Sequence, residues 1–340
     1  MLKGLALTPP VIGRISIGRM VLKNDRRLPE KDDSFTVTSQ VQNMEGWVLH
    51  PVDELLRKDP DAKLQTIPVR LLFDDPDLTL RASYTLFERS TGRPLCVGDG
   101  VSCKRVSPEG MQSLPCPSPQ SCAVGIAGHC KPYGRLHVRI DVEVSVVDEL
   151  GSFVFRTTGF NSIRTLSARL RYLHAATGGV LASLPLELRL RGKSTTMSHG
   201  TPIYYVDLTT RPGTSLTQAV ALARKEREQQ FALGFNQAAL DEAARQGLAL
   251  GEFEESEEEG VDVVQEFYPD EGDGFSTGSR PENAPAPPTP DAQSSPPALS
   301  ARKTPLVSKL RRKLEDAGVA GFSGRADGGP TSPASGNGHG

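Results

Sequence analysis

The sequence is constrained most by stretches in which apolar and polar residues alternate strictly, because this pattern places one face of a β-strand in a core. The longest stretch runs from Leu136 to Val146 and carries six apolar residues on one face. Similar or shorter alternations occupy residues 68–73, 78–86, 151–157, 184–190 and 202–209. The pattern predicts a core dominated by an antiparallel-rich sheet.

Helical periodicity appears later in the chain. Apolar residues recur at helical spacing from residue 163 to residue 173, with Asn161 or Ser162 as a capping residue and Gly178 or Gly179 as a stop. A second signal is the capping-box pair Ser215 and Gln218. A further helix begins at Asn236, so residues 213–250 are predicted to form a helical hairpin.

The last ninety residues are rich in Pro, Gly, Ser and acidic residues, and they bury too little apolar surface to offset the entropy of ordering. We therefore predict an α+β core at residues 1–212, followed by the hairpin. Residues 251–300 are expected to be an acidic, Pro/Ser-rich disordered linker, and residues 301–340 a short basic helix with a disordered tail.

Charge is distributed unevenly behind a net charge of -2. Residues 1–250 hold 31 basic and 25 acidic residues, whereas residues 251–300 hold one basic and 13 acidic residues. The basic excess is greatest at residues 151–200, which is typical of a surface that binds a polyanion. The candidate contacts to nucleic acid or a partner are Arg164, Arg169, Arg171, Arg189, Arg191 and Lys193. A solvated basic face is the competing interpretation.

All five cysteines lie within 35 residues, in a tract rich in proline and glycine. They are Cys96, Cys103, Cys116, Cys122 and Cys130. An odd number of cysteines in a reducing compartment argues against a disulfide framework. A metal ion that folds the loop at residues 96–130 is the favoured explanation, because metal-binding free energy becomes folding free energy.

The predicted metal is a structural Zn2+, which takes four tetrahedral ligands. The preferred ligands are Cys103, Cys116, Cys122 and Cys130. Cys96 ends a strand-like run, and His129 is a spare ligand, so either one remains a possible substitute. An iron–sulfur cluster and simple packing of the thiols are the alternatives. Four thiolates leave no open position for catalytic water.

A catalytic interpretation has one sequence feature in its favour. Asp74, Asp75 and Asp77 are suitable ligands for Mg2+ in a nuclease-like hydrolase acting on nucleic acid. A turn is the competing explanation, since Asp and Pro are ordinary turn residues. No nucleophile–base arrangement is recognisable, so no catalytic residue is assigned and a non-catalytic role is favoured.

No apolar run approaches the ~20 residues that span a bilayer, so no membrane association and a cytoplasmic location are expected. The sequence does not determine the oligomeric state.

Several motifs together carry a family resemblance. They are TPPVIGRISIGR, DDSFTVTS, CKPYGRL, GSFVFRTTGFNSIRTLSARL, LPLELRLRGKS and HGTPIYYVDL. In the sequences of these motifs and in their order, the chain resembles the recombination directionality factor-like family of phages and integrative conjugative elements over roughly residues 1–250. Bacterial relatives in that family carry the label "hydrolase or metal-binding protein".

The resemblance implies a non-catalytic accessory factor that binds a site-specific integrase, or recombinase, and/or DNA. Such a factor biases recombination from integration towards excision of the mobile element. The family pattern also includes cysteines before the K-P-x-G-R-L segment, and Cys116, Cys122 and Cys130 stand at those places. The long acidic tail departs from the shorter phage members.

Overall fold

The computed structural model describes residues 10–268, apart from residues 24–25, 45, 58, 60–61, 143–147, 149, 195, 197–199 and 251–256. Twelve strands are found in this part of the chain. They are β1 Val11–Lys23, β2 Arg26–Asn43, β3 Gly46–Leu49, β4 Thr66–Leu71, β5 Leu80–Phe87, β6 Pro94–Gly98, β7 Ser102–Ser107, β8 Gly110–Pro115, β9 Lys131–Ile140, β10 Ser152–Thr157, β11 Leu186–Lys193 and β12 Ile203–Thr210.

The strands join into one mixed sheet. Its main path follows the order β3, β2, β1, β10, β9, β5, β6, β7, β8. Away from that path, β4 pairs with β9 and β11, and β11 pairs with β12. Among the strands described, β1 and β10 are parallel, and the other pairs are antiparallel.

Seven α-helices accompany the sheet in the same part of the chain. They are α1 Pro51–Leu56, α2 Pro76–Thr79, α3 Ala123–Ala127, α4 Phe160–Thr177, α5 Leu216–Ala232, α6 Gln237–Leu250 and α7 Glu257–Phe267. A short 3-10 turn, Pro119–Ser121, precedes α3. The structure is therefore α+β, as the sequence predicts.

The main core lies between α4 and one face of the sheet. Phe155 of β10 stands opposite Leu136 of β9, and Leu136 stands opposite Leu80 of β5. Leu166 and Leu170 of α4 are fully buried in the same cluster. Each such side chain contributes about 1.5–3 kcal/mol relative to an exposed one, so this face anchors the fold.

Most strand predictions are confirmed, with shifted ends. The long alternation becomes β9, which ends at Ile140, and residues 143–147 of the predicted stretch lie outside the described residues. The alternation at residues 78–86 begins two residues before β5, because Leu78 belongs to α2. The expected helices at Ser215 and Asn236 are α5 and α6, and Ser215 forms a complete capping box with Gln218.

The N-terminal cap of α4 differs from the prediction. Gly159 occupies the cap position, and the Ser162 hydroxyl instead accepts a hydrogen bond from the Val206 N–H at 3.1 Å. Ser162 therefore ties α4 to β12. Gly178 ends the helix in the left-handed conformation, with φ 73°.

The expectation of a loop folded by metal at residues 96–130 requires correction. This segment contains the antiparallel meander β6–β7–β8, the 3-10 turn and α3. Backbone hydrogen bonds between neighbouring strands hold the meander. A bound ion is therefore not needed to explain why these residues are ordered.

The acidic segment also differs from the prediction. Residues 257–267, which we expected to be disordered, form α7, and Val263 and Val264 of this helix pack against the sheet. The rest of the predicted linker, and the basic helix and tail expected at residues 301–340, lie outside the described residues. No described helix is both long and apolar enough to cross a membrane.

Candidate functional site

The meander and the segment after it bring all five cysteines to one small cavity. Cys96 lies on β6 and Cys103 on β7, and Cys116 directly follows β8. Cys122 caps α3, and Cys130 directly precedes β9. The cavity that they line measures about 20 Å³, which is close to the space that one water molecule needs.

Glycines allow the sulfur-bearing residues to approach one another. Gly98 stands opposite Cys103, and a Cβ at Gly98 would overlap with Cys103 and with the Cys116 sulfur. Gly125 lies between Cys122 and Cys130, where a Cβ would lie 3.2 Å and 3.4 Å from their Cβ atoms. The compactness of the cluster therefore depends on these two positions.

The thiols differ in acidity. Burial raises the pKa of Cys103 to about 11, helped by a hydrogen bond with Cys96, and burial also raises the pKa of Cys130 to about 11. The pKa of Cys122 is lowered, because the Gly125 N–H donates to its sulfur at 3.3 Å and Arg105 lies 3.6 Å from it. Of these three thiols, that of Cys122 is the most readily ionised.

The cluster suits zinc in its donor chemistry but not in its present arrangement. Thiolate sulfur is a common zinc ligand, and all four predicted ligands line the cavity. Within the described ranges, however, no group of three or more His, Cys, Asp or Glu side chains is arranged to hold a metal ion. Cys96, which the sequence left as a substitute, lines the same cavity, whereas His129 lines a different one beside α3.

Two of the predicted arginines converge on one buried carboxylate. Asp207 of β12 is 2% exposed and accepts hydrogen bonds from Arg169 of α4 at 2.9 Å and from Arg191 of β11 at 2.7 Å. Burial raises the pKa of Asp207, but the hydrogen bonds from Arg169 and Arg191 outweigh it and hold the pKa below its ordinary value. The sequence identified the two arginines but not Asp207.

The other two basic residues of β11 lie along the same strand. Arg189 stands opposite Asp207 in the register and pairs with Glu187 at 2.6 Å. Lys193 donates to the Asn161 side chain at 2.7 Å. Four of the six predicted contacts, Arg169, Arg189, Arg191 and Lys193, therefore gather where α4 meets the β11–β12 pair.

The remaining two predicted residues lie on the outer side of α4. Arg164 and Arg171 are both exposed, and they are two helical turns apart. Arg171 approaches Asp77 at 3.5 Å in a pair with both side chains at least 70% exposed, so this pair contributes little to stability. We name Arg164 and Arg171 the α4 pair.

The three carboxylates of the hydrolase alternative do not share a centre. Asp74 accepts from the Leu181 and Ala182 N–H groups and pairs with Arg227 at 2.6 Å. Asp75 caps α2 and pairs with Arg245 at 3.0 Å. Each of these two acids therefore has a structural role, and no observation in the described residues favours the hydrolase.

Comparison with known proteins yields one finding. A family model with the description "Gp3-like: Recombination directionality factor-like" matches residues 12–211, which extend from β1 to just beyond β12. No curated protein and no solved structure matches the chain.

Proposed function

The chain belongs to the recombination directionality factor-like family, and from this membership we propose that it is a non-catalytic accessory factor controlling excision of a mobile element. Its partner is a site-specific integrase, bound directly, on DNA, or both. The single observation that carries the proposal is the match over residues 12–211, which includes all twelve described strands apart from Val11, the first residue of β1.

Such a factor needs no catalytic activity of its own. A ligand shifts an equilibrium only through unequal affinity for its states, so the factor must bind the recombinase arrangement for excision more tightly than the arrangement for integration. A preference of about 100-fold corresponds to roughly 2.7 kcal/mol. Extra contacts of a few side chains are sufficient to supply this difference.

Contact through the α4 pair and the basic end of β11 is part of the proposal. The exposed guanidinium groups of Arg164 and Arg171 are accessible to phosphate or carboxylate. Arg169 and Arg191 are already engaged with Asp207, so we assign them to positioning the surface. Binding to DNA through this surface weakens steeply with salt, because phosphate contacts release counterions.

Recombination assays with purified integrase from the same element test the role. We expect the chain to stimulate excision between the two element–host junctions and to inhibit integration. Arg164→Glu with Arg171→Glu should reduce stimulation at least about tenfold, the loss of roughly 1.4 kcal/mol of contact. An unaltered ratio of excision to integration upon addition of the wild-type chain would reject the role.

A matched control is available on another helix. Arg224 and Lys225 of α5 are exposed, and Arg224→Glu with Lys225→Glu makes the same change in net charge. This control should stimulate excision like the wild type. If both double variants lose activity equally, net charge and not the α4 pair is responsible.

We also propose that the cysteine cluster binds Zn2+ in a structural role through Cys103, Cys116, Cys122 and Cys130. The convergence of the thiols on one cavity and the family pattern support this assignment. A bound ion would supply cross-links between the meander and the start of β9. Such binding requires the thiols to lose protons and to reorient, which makes zinc affinity rise with pH.

Metal analysis tests the zinc proposal. We expect one zinc per chain, loss of zinc in Cys116→Ser and retention in the control Cys96→Ser. Iron with acid-labile sulfide would instead indicate an iron–sulfur cluster. Protein that binds no zinc when refolded with the ion would contradict both the ligand set and the cofactor.

A further inference from the structure

A second basic surface lies on the face of the sheet opposite α4. It spans β1, β10, β9 and β5, and we call it the basic sheet face. Its members are Arg14, Arg81, Arg135, His137 and Arg156. None of these residues belongs to the contacts predicted at α4 and β11.

Three of its arginines stand in one row across neighbouring strands. Arg156 of β10 is directly opposite Arg135 of β9, and Arg135 is directly opposite Arg81 of β5. Arg81 is 6% exposed and Arg156 9% exposed. Arg135, between them, is half-buried. Like charges directly opposite each other destabilise a sheet, so negative charge near this row stabilises it.

The positive charge of this face lowers the pKa values of neighbouring side chains. Burial, together with Arg81, Arg135 and Arg156, drives the pKa of His137 well below its ordinary value. Burial and Arg156 likewise lower the pKa of Arg14. His137 is therefore neutral near pH 7, and the remaining positive charge of the face lies on its arginines.

The acidic residues of α7 meet this face. Asp262 pairs with Arg14 at 3.3 Å and also accepts from Gln42 at 3.2 Å. Glu266, one helical turn further along, interacts with Arg156 and Arg14. The two acids follow the i, i+4 spacing, so they form one stripe of the helix directed at the arginines.

An apolar stripe of α7 packs beside the acidic one. Val263 and Val264 are nearly fully buried in a cluster with Phe87 of β5 and Tyr133 of β9. Just after the helix, the Tyr268 hydroxyl donates to the Thr85 carbonyl at 3.3 Å. The face thus recognises an amphipathic helix with acids and apolar residues on adjacent stripes.

A contact between two glycines holds the start of α7 against the sheet. Gly260 of α7 lies on Gly92, which has φ 68° in the turn between β5 and β6. A Cβ at either position would overlap the backbone of the other glycine. Glycine within a helix lowers the stability of the helix by about 1 kcal/mol relative to alanine. Gly260 therefore allows the close contact with Gly92 at the expense of helix stability.

We infer that the basic sheet face is a docking site for an acidic amphipathic helix of a partner protein, and that α7 is an intramolecular occupant which the partner must displace. The contacts favour a helix over nucleic acid, because the apolar residues of α7 pack into a buried cluster with Phe87 and Tyr133. A cleft of about 130 Å³ beside Glu266, lined by Trp47, gives a competitor access. The inference goes beyond the control of excision and holds whichever protein supplies the helix.

Binding of a labelled peptide with the sequence of residues 255–269 tests the inference. The full-length variant Gly260→Leu should bind it at least about tenfold more tightly than the wild type, because removal of the occupant raises the binding-competent fraction. The control Gln265→Leu, at an exposed position of the same helix, should bind it like the wild type. A peptide with lysine in place of both Asp262 and Glu266 should not bind.

A second variant and duplex DNA as a second ligand serve as controls for this experiment. Val264→Asp releases α7 through the apolar stripe and should reproduce the effect of Gly260→Leu, with circular dichroism reporting the fold of each variant. Equal peptide affinity in the wild type and in both variants would overturn the inference. So would retention of duplex DNA by the uncovered face without binding of the peptide.

Discussion

At the scale of single residues, Asp207 joins two of the six predicted contact residues, Arg169 and Arg191. We expect Asp207→Asn to lower the free energy of unfolding by about 1–2 kcal/mol, the lower part of the range for charged hydrogen bonds, because Arg169 and Arg191 are 46% and 41% exposed. Urea unfolding of both proteins measures the difference.

The pH dependence of this effect has a defined sign. Because the pKa of Asp207 is depressed in the fold, its stabilisation is present above the unfolded pKa of about 3.9 and is lost as pH falls below it. The difference between wild type and Asp207→Asn should therefore shrink from pH 6 towards pH 3. A difference that is constant over this range would contradict the assignment.

The sequence predicts the arginines of this surface but not their partner. Arg189 and Arg191 alternate with leucines, so their direction follows from the strand period. Asp207 becomes their partner only through the register of β11 with β12 and through the packing of α4 on β12. Those relations are non-local, and alternation within one segment does not encode them.

At the scale of secondary-structure elements, the docking of α7 should depend on pH. Burial raises the pKa of Glu266 to about 7, against the opposing effect of Arg156 and Arg14 and with the assistance of Asp262. The carboxyl group therefore takes up a proton on docking between about pH 4.5 and pH 7. Docking should be strongest at low pH in this window and should weaken as pH rises through 7, because burial of the Glu266 charge outweighs its attraction to Arg156 and Arg14. The ionic part of the docking therefore rests on the pair of Asp262 with Arg14.

Trp47, the one tryptophan of the chain, provides the readout because it lines the cleft beside Glu266. Acrylamide quenching of its fluorescence should increase from pH 5 to pH 8 in the wild type. Burial and the neighbouring arginines hold the pKa of His137 well below its ordinary value, so the change around pH 7 does not come from this residue. Glu266→Gln should remove the pH dependence, and a Gln variant that keeps the full wild-type slope would refute this origin.

The elements also show where sequence patterns succeed and fail. Strong alternation identifies β9 and β11, and capping residues identify α5. The composition of residues 251–300 conceals α7, because one short amphipathic segment is averaged with a long acidic and proline-rich one. The repeat of Asp262, Val263, Glu266 and Phe267 at helical spacing was the available signal.

At the scale of the whole molecule, stability should change with the point at which the chain is shortened. A chain ending at residue 280 keeps the complete first compact unit, whereas one ending at residue 250 lacks α7. The shorter chain loses the burial of Val263, Val264 and Tyr268. We expect its Tm to fall by roughly 5–10 °C, and that of the longer one to remain within about 2 °C of the full chain.

Differential scanning calorimetry of the three chains measures both effects. If the chain ending at residue 250 melts at the temperature of the full chain, α7 contributes nothing to the fold. In that case, the contacts between the helix and the basic sheet face would be too weak for a masking role.

The order of strands is the least predictable property at this scale. The basic sheet face exists because β10 inserts between β1 and β9. The alternation in a strand reveals which of its side chains share a face, but it does not reveal which other strands pair with that strand. The alternation of β9 places Arg135 and His137 on the face opposite its apolar residues. It does not indicate that Arg156 and Arg81 lie on either side of Arg135.

The parallel pairing of β1 with β10 has a consequence for biosynthesis. When the ribosome has released the N-terminal β1–β2 hairpin, the segment that will cover its inner edge, residues 152–157, has not yet been translated. Until then, the β1 edge of the hairpin has backbone donors and acceptors that no strand pairs with. Such an unpaired edge is prone to association with other nascent chains. We therefore expect molecular chaperones that bind extended polypeptide to increase the yield of folded protein.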